Sequence, residues 1–507
     1  MHYIDDKLNR VTMYRLVMYY LMGLLVFGVI FGYLGLIPFS PISLVISTIY
    51  ITFICWVTNT IFAKVFRAPT NIESVYITAL ILVFIITPLK SFTDPAYFSL
   101  AAWASILAMA TKYILAIRKK HIFNPAAIAV VITSLALGQS ASWWIGTPWM
   151  ALPVVLGGYL LTRKLLHLDL VLGFFFSAVA GSVFLHLNQG ITLIYITRIF
   201  LSSPLLFFAF IMLTEPLTTP PTKILRTLYG VVVGVLFSPA VHIGSIFSTP
   251  ELALVIGNVF SYVASPKDKL ILKLTELKKI GNDTYDFIFT PEKPILYKPG
   301  QYMEWTFSHP KSDNRGNRRY FTLSSSPTEP TLRIGLKFYP DMSSFKESLL
   351  LMGSSSKIVA SQTAGDFTLS SDNKKKLVFI SGGIGVTPFR SMIKYLVDKK
   401  EKRDIIHFYS NRTLGDVVYT DVFDAAHEEL GIQTIYTLTD ILTLPPGWRS
   451  EKGFIDAEMI KRHAPDFVDR TFYLSGPHAM VTTFESLLLN MGVKSSSIKK
   501  DFFPGFV

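Results

Sequence analysis

Arg319, Phe321 and Thr322 fall within four residues of one another in this 507-residue chain. A flavin dinucleotide asks for that combination: a guanidinium for its diphosphate, an aromatic face for its ring and a small hydroxyl near its redox nitrogen. Downstream, Gly382-Gly383-Ile384-Gly385-Val386-Thr387-Pro388 separates the apolar run "KLVFISG" from a helical run ending near Tyr395. A glycine turn between strand and helix lets backbone N–H groups approach a pyrophosphate at the helix N-terminus. Ser475-Gly476-Pro477, followed by Met480, closes a later strand. Together these runs suit a flavin dinucleotide and a second ligand that carries a pyrophosphate.

The elements needed to position them are legible as patterns. Short β-like runs, "LILKLTELKKI", "TYDFIFT", "YMEWTF", "RYFTLSS" and "LRIGLKF", are spaced as in a small antiparallel barrel. From Lys376 the pattern becomes βαβ, with further strands "IIHFYSNR", "QTIYTL" and one ending in "FYLSGPHAMV", which predicts a doubly wound sheet. The expected organisation is a flavin-binding barrel over 264–372 and a nicotinamide-binding α/β domain over 373–507.

The first half is a different material. Of the first 262 residues 22 are charged, against 61 of the remaining 245, and the whole chain is 50% hydrophobic. Ten apolar runs, near 12–36, 43–63, 72–89, 96–116, 123–138, 148–162, 169–186, 193–213, 225–242 and 252–263, are each read as a bilayer span, which makes residues 1–263 a multi-pass α-helical membrane domain. Lys64, Arg67, Arg118 to Lys120, Arg163, Lys164, Lys223, Arg226, Lys267 and Lys269 fall on one set of alternating connections, and Lys90 nearly alone on the other. That asymmetry puts both termini and the redox half in the cytoplasm, with the chain in the cell (inner) membrane. The net charge of +13 is thus a topology signal, and no nucleic-acid partner is expected. Met1 to Arg10 is polar and the first apolar run is long, so that segment is expected to remain as an anchor. One cysteine, Cys55, excludes a four-thiolate iron–sulfur site within the chain.

Two segments break the apolar pattern. Phe123-Asn124-Pro125 opens one run and Thr214-Glu215-Pro216 closes another, each pairing a helix-breaking proline with a polar neighbour. Such breaks line cavities in membrane proteins or form capped helix ends, and both readings stand here. The runs His121 to Ile132, Leu156 to Phe176 and Phe210 to Pro221 resemble the membrane flavin subunits of the Rnf and Nqr respiratory complexes over about residues 10–262. The resemblance implies ten helices in two repeats that pass electrons across the membrane through flavin, FMN or riboflavin, with Asn124 and Glu215 in the cofactor-bearing region. Many members carry covalent FMN on a Thr in a Ser-Gly-Ala-Thr motif. The corresponding connection here, Ser142 to Trp149, lacks that motif and offers Thr147 instead; Trp143, Trp144 and Trp149 read either as interfacial aromatics or as a stacking platform.

The second half resembles ferredoxin–NADP reductase-type domains over about 265–507, through Pro299 to Tyr302, Arg319 to Ser325, Gly365-Asp366-Phe367, Gly382 to Pro388 and Ser475-Gly476-Pro477 with Met480. The family binds FAD on the barrel and NADH or NADPH on the second lobe. Carried over by position, Tyr302, Arg319, Phe321, Thr322 and Ser325 belong to the FAD site, with Ser343 and Ser344 near the diphosphate although the usual preceding glycine is missing. Gly382, Gly383, Gly385, Thr387, Pro388, Gly476, Pro477 and Met480 belong to the nicotinamide site. Thr322, Ser475 and Phe503 fall at the reacting atoms; Ser475 replaces a frequent Cys, which implies slower hydride transfer. Arg412, following the second strand, leans to NADPH over NADH. His407, His427, His463 and His478 show no metal-ligand spacing and read as surface or strand-end residues.

The leading expectation is an enzyme in which NAD(P)H reduces FAD and electrons then cross the membrane singly. The acceptor on the far side fits a quinone, an extracytoplasmic flavin or protein, or a metal ion. A haem-type transmembrane ferric or oxygen reductase is the alternative, needing axial histidines among His121, His167, His186 and His242. A transporter with a redox-sensing lobe is the third reading.

Overall fold

The computed structural model describes residues 11, 13–66, 72–117, 120–165, 167–185, 193–238, 240–244, 246–265, 270–307, 309, 318–340, 342–353, 356–361, 363–440, 444 and 450–501. Arg67, Arg118, Lys119, His186, Lys267, Lys269 and Phe503 lie outside the described residues. The chain divides into two compact units, Met1–Asp268 and Lys269–Val507.

In the first unit a helix lies in each of the ten apolar runs: α1 Met13–Tyr33, α2 Pro41–Val65, α3 Ile72–Ile85, α4 Pro95–Ile114, α5 Pro125–Leu137, α6 Pro148–Leu165, α7 Leu168–Leu185, α8 Leu193–Leu201, α9 Lys223–Leu236 and α10 Pro250–Ala264. After α8 the run continues as a short turn, Leu205–Phe207, and a π-helical stretch, Phe208–Met212. One device starts four of these helices. Ser40, Asp94, Asn124 and Thr249 each accept a backbone N–H from the first turn, and a proline follows at once. The side chain satisfies an orphan donor and the proline, lacking one, loses nothing there.

By length and composition α1 and α2, of 21 and 25 residues, can cross a membrane. The other runs hold shorter helices. Helix α3 has 14 residues, about 21 Å at 1.5 Å per residue against an apolar slab of roughly 30 Å. Its run continues as non-helical chain from Ile86, where the Leu89 N–H bonds Ser47 Oγ at 2.9 Å.

Close approach of small residues holds part of this unit together. Gly230 and Gly234 of α9 face Leu170, Phe174 and Ser177 of α7, and a Cβ on Gly230 would lie 2.5 Å from the Leu170 carbonyl oxygen. A small-xxx-small pair of this kind lets two backbones meet and gain van der Waals contact that water-driven burial need not supply. Arg226 and Asp169, 3.1 Å apart, tie the same two helices. Meanwhile Ile42, Ile49, Phe53, Leu152, Leu172 and Phe176 stand exposed.

The second unit carries two sheets. Strands β1 Leu270–Lys279, β2 Thr284–Pro291, β3 Tyr302–Thr306, β4 Arg318–Thr322, β5 Leu332–Lys337 and β6 Lys357–Ala360 form an antiparallel sheet in the order β4-β3-β6-β1-β2-β5. Just beyond β4, the Ser324 N–H donates to the Arg333 carbonyl at 2.9 Å, bringing the two edges together. Helix α11, Ser344–Leu350, lies between β5 and β6 in the chain. The inner face of the sheet is Leu272, Phe287, Phe289, Met303, Trp305 and Ile334, closed by Phe345 of α11.

Strands β7 Leu377–Gly382, β8 Ile405–Asn411, β9 Gln433–Leu438, β10 Glu451–Lys452, β11 Thr471–Ser475 and β12 Ile498–Asp501 make a parallel sheet in the order β10-β9-β8-β7-β11-β12. Helices α12 Thr387–Lys399, α13 Thr420–Leu430, α14 Ala457–His463 and α15 His478–Asn490 connect them. The order reverses beside β7, so the crevice at the carboxyl ends of β7 and β11 is where such sheets bind ligands. The pattern of a doubly wound sheet is present, with two edge strands, β10 and β12, that periodicity did not mark.

His407 departs from its expectation as a surface or strand-end residue. It is fully buried in β8, with Nε2 2.8 Å from Ser381 Oγ, because β7 and β8 pair in register at the middle of the sheet. Burial lowers its pKa to about 3. Unfolding restores a pKa near 6.5, so the unfolded chain takes up a proton between those values and the folded one does not. The second unit should therefore lose stability as pH falls below about 6.5, by up to roughly 1.4 kcal/mol per pH unit until about pH 3. Urea unfolding of the intact protein followed across this range should show that slope, and His407→Gln should flatten it.

Candidate functional site

The glycine turn after β7 is built for backbone approach. Gly383 has φ +53° and open space where a Cβ would stand, whereas a Cβ on Gly385 would lie 2.5 Å from Gly476 Cα. The first position therefore leaves room for a ligand, and the second allows the two loops at the crevice to touch. Met480 packs its sulfur against Gly382, and Pro477 stands beside it. Thr387 Oγ1 donates to the Ile384 carbonyl at 3.2 Å, and Pro388 occupies the first turn of α12. No side chain caps that helix; a 3-10 turn, Gly383–Val386, runs directly into it, and the Thr387 N–H bonds the Ile384 carbonyl. Arg412, 80% exposed in its side chain, lies beyond β8 with its Nε 4.0 Å from Asp440.

On the flavin-type sheet, β3 and β4 pair so that Tyr302 faces Thr322, Met303 faces Phe321 and Trp305 faces Arg319. Arg319 and Phe321 share one side of β4: the guanidinium carbon is 5.1 Å from the Phe345 ring centroid and the Phe321 ring is 6.1 Å from it. Tyr302 and Tyr320 meet edge to face on the other side at 5.7 Å. Gly365, at φ +106°, passes under Tyr302, where a Cβ would lie 2.9 Å from the ring. Gln301 ties that loop down through the Gly365 carbonyl at 3.0 Å. A guanidinium, half-buried aromatic rings, a buried threonine hydroxyl and glycine-lined backbone fit a flavin dinucleotide.

Three of the serines expected at the FAD site bond within the protein. Ser325 is fully buried, with its hydroxyl 2.9 Å from Tyr297 Oη and accepting the Arg333 N–H at 3.0 Å, which ties the loop after β4 to β5. Ser343 caps α11 by accepting the Lys346 N–H, and Ser344 Oγ is 2.9 Å from His309 Nε2. Phe367, from the Gly-Asp-Phe motif, packs on Phe389 and Tyr473 in the nicotinamide lobe.

The two half-sites meet at a residue that sequence reading passed over. Thr322 Oγ1 donates to Asp501 Oδ2 at 3.4 Å, and Asp501, last residue of β12, pairs with Ser475 across the ladder. Ser475 in turn pairs with Ser381 of β7. Burial pushes the Asp501 carboxyl up to about 7, against the lowering effect of the Thr322 bond. Phe503, two residues further on, was assigned to the reacting atoms, but only the added edge strand shows what the Asp501 side chain meets.

In the first unit the two proline-broken segments come together. His121 Nε2 lies 3.5 Å from Glu215 Oε1, and Thr218 Oγ1 donates to Glu215 Oε2 at 3.3 Å. Asn124 caps α5 through the Ala127 N–H, while its own N–H bonds Asn258 Oδ1 at 2.8 Å. A small cavity beside them is lined by His121, Thr218, Asn258 and Ser261, and the Ser261 hydroxyl makes no hydrogen bond.

Two of the three tryptophans do not behave as interfacial rings or an open platform. Trp143 and Trp144 are buried because Ser142 and Trp143 N–H groups bond the Ile85 carbonyl and draw the loop inward. Trp143 Nε1 donates to Glu251 Oε2 at 3.1 Å, and Trp144 packs on Phe39 and Phe84. Trp149 stays exposed, and the Thr147 hydroxyl is buried without a hydrogen-bond partner.

Residues 379–486 match the family described as Oxidoreductase NAD-binding domain. The chain is 26% identical over 238 residues to a Pseudomonas aeruginosa glycine betaine monooxygenase reductase subunit, covering 45% of this chain and 64% of the relative. It is 28% identical over 230 residues to a Bacillus cereus flavohemoprotein, covering 43% and 56%. It spans less than two thirds of the length of these relatives. Among solved structures, an Amycolatopsis cytochrome P450 reductase aligns with a TM-score of 0.42 at 22% identity, over 47% of this chain and 70% of that one. With the family match and these reductase relatives beside the geometry above, residues 379–486 form an oxidoreductase NAD-binding domain and the C-terminal half of the chain is similar to FAD- and NAD(P)H-dependent reductases.

Proposed function

We propose that the protein is a membrane-bound NAD(P)H oxidoreductase that passes electrons from cytoplasmic NAD(P)H through FAD into and across the membrane, by way of a flavin, FMN or riboflavin, held in the helical unit. The observation that carries the first part is the link Thr322–Asp501–Ser475, which ties the flavin strand to the carboxyl end of the nicotinamide sheet. Bound FAD supplies a centre that takes a hydride and gives up electrons one at a time. Arg319 holds its diphosphate, Phe321 and Tyr302 offer ring faces, and Thr322 orients the redox edge. The Gly382–Pro388 turn receives the nicotinamide pyrophosphate, and Ser475 with Gly476 borders the nicotinamide. Asp501 holds or gives up a proton beside Thr322 near neutral pH.

The second part is supported by the exposed apolar residues of the helical unit, the Gly230–Gly234 packing, and two helices of spanning length. The meeting of Glu215, His121 and Asn258 at broken helix ends, and the Ser261 and Thr147 hydroxyls, which have no hydrogen-bond partner among the described residues, support this reading by offering hydrogen bonds to a polar cofactor. The distribution of Lys64, Lys164 and Lys223 against Lys90 supports a cytoplasmic redox half. Quinone, an extracytoplasmic flavin or protein, and a metal ion all remain as acceptors of this reading.

Arg319→Ala should lower FAD retention at least about tenfold, the order expected when a charge-assisted contact to a diphosphate is lost, with the helical unit still inserted. Flavin content per protein after gel filtration reads it, and full occupancy would remove Arg319 from the site. Gly383→Val should leave FAD bound but raise the NAD(P)H KM by about tenfold or more, since a β-branched side chain is strained at φ +53° and fills the open approach; an unchanged KM would contradict this. For the membrane step, sealed vesicles with NAD(P)H outside, on the side of the redox half, and an impermeant acceptor trapped inside should reduce that acceptor in an Arg319-dependent way. Reduction only when acceptor and NAD(P)H share a side would sink transmembrane transfer.

A further inference from the structure

A closed ring of side chains joins the two lobes of the redox half away from the cofactor-contacting residues. Arg390, in the first turns of α12, grips Glu329 with both terminal nitrogens, Nη2 to Oε1 at 3.0 Å, and donates from Nη1 to the Ser324 carbonyl at 2.8 Å. Arg333 lies 3.5 Å from Glu329 and 3.7 Å from Asp286. Asp286 accepts the Tyr419 hydroxyl at 2.8 Å, and the Tyr419 ring lies 5.5 Å beneath the Arg390 guanidinium, which closes the ring. Asp286, Ser324, Glu329 and Arg333 belong to the flavin lobe, Arg390 and Tyr419 to the nicotinamide lobe. Asp286 and Arg390 are almost wholly buried, and the charges balance two against two.

Two features show that this ring is held under constraint. Tyr419 adopts φ +61°, a region in which an aromatic residue is strained, and its hydroxyl enters the space left by Gly335 of β5, where a Cβ would lie 2.3 Å away. The neighbouring Ser391 Oγ donates to the Ser325 carbonyl at 2.5 Å. Thus α12, whose first turn follows the pyrophosphate turn at Gly383 to Pro388, grips the chain two and three residues beyond Thr322. One rigid helix touches the nicotinamide site at its start and the flavin strand one turn later.

Building on the functional reading above, we propose that Arg390, Glu329, Asp286 and Tyr419 are positioning residues for hydride transfer: they fix the flavin strand against α12 so that the nicotinamide reaches the flavin at reacting distance. None touches the reacting atoms in this arrangement. Their effect falls on the rate of the chemical step, which is steep in donor–acceptor distance, and spares binding of each cofactor to its own lobe.

The test is anaerobic rapid mixing of the full-length, FAD-loaded protein with NAD(P)H, for wild type, Arg390→Lys, Glu329→Gln and Tyr419→Phe. The limiting rate of flavin bleaching should fall about tenfold or more in the first two and less in the third, with FAD content and half-saturating NAD(P)H within about twofold of wild type. The long-wavelength charge-transfer absorbance of the nicotinamide–flavin complex should weaken in parallel. The double variant Arg390→Lys/Glu329→Gln should be no slower than the worse single one, because the pair acts as a unit. Tyr419→Phe keeps the ring and removes only the hydroxyl, so it carries the test if Arg390→Lys does not fold. Variants that bleach at the wild-type limiting rate, or that lose FAD while each remaining FAD reacts normally, overturn the positioning role alone. A wild type whose bound FAD is not bleached by NAD(P)H overturns the functional reading and leaves the ring no transfer to position.

Discussion

A hydride moves only between atoms in contact, so everything in the redox half depends on holding two separately folded sheets in one register. The structure meets that demand at the carboxyl ends of β7, β11 and β12. There Asp501 receives the Thr322 hydroxyl, Gly385 and Gly476 abut without side chains between them, and α12 leaves the crevice to grip the flavin lobe through Arg390 and Ser391. The buried ions in this join are costly to desolvate, and geometry offsets part of that cost: Arg390 pairs with Glu329 through two nitrogens, and Asp286 accepts the Tyr419 and Ser324 hydroxyls with Arg333 3.7 Å away.

The helical unit answers a different constraint. Surrounded by apolar side chains, its backbone must satisfy its own polar groups, and the repeated polar-cap-then-proline start does so at four helix ends. Where helices break, at Asn124-Pro125 and Glu215-Pro216, the freed groups pair across the unit with Asn258, Thr218 and His121. The same residues therefore read as caps and as the polar lining of a cavity, and the two readings of those motifs describe one arrangement.

The redox half was read well from local pattern because its chemistry is carried by contiguous runs. Arg319 to Thr322, Gly382 to Pro388 and Ser475 to Pro477 each lie on one strand or turn, where alternation and glycine placement fix which side chains share a face and where backbones can approach. Assignments failed where a side chain's duty depends on a distant partner. His407 was placed at the surface but sits in the core beside Ser381. Trp143 and Trp144 fit an outer aromatic belt by type and position, yet the Ile85 carbonyl pulls their loop inside.

The sequence by itself determined the two materials of the chain, the order of its elements, and the three runs proposed to hold flavin and nicotinamide, since composition and period are local properties. Tertiary structure alone decided that Glu215 meets His121, that Asp501 reaches Thr322 across 179 residues of chain, and that Arg390 and Tyr419 lock onto Glu329 and Asp286. The physical reason is range. Helix and strand patterns follow from the forces between neighbours along the chain, whereas a buried hydrogen bond or ion pair exists only after packing has removed water from both partners and aimed them at each other.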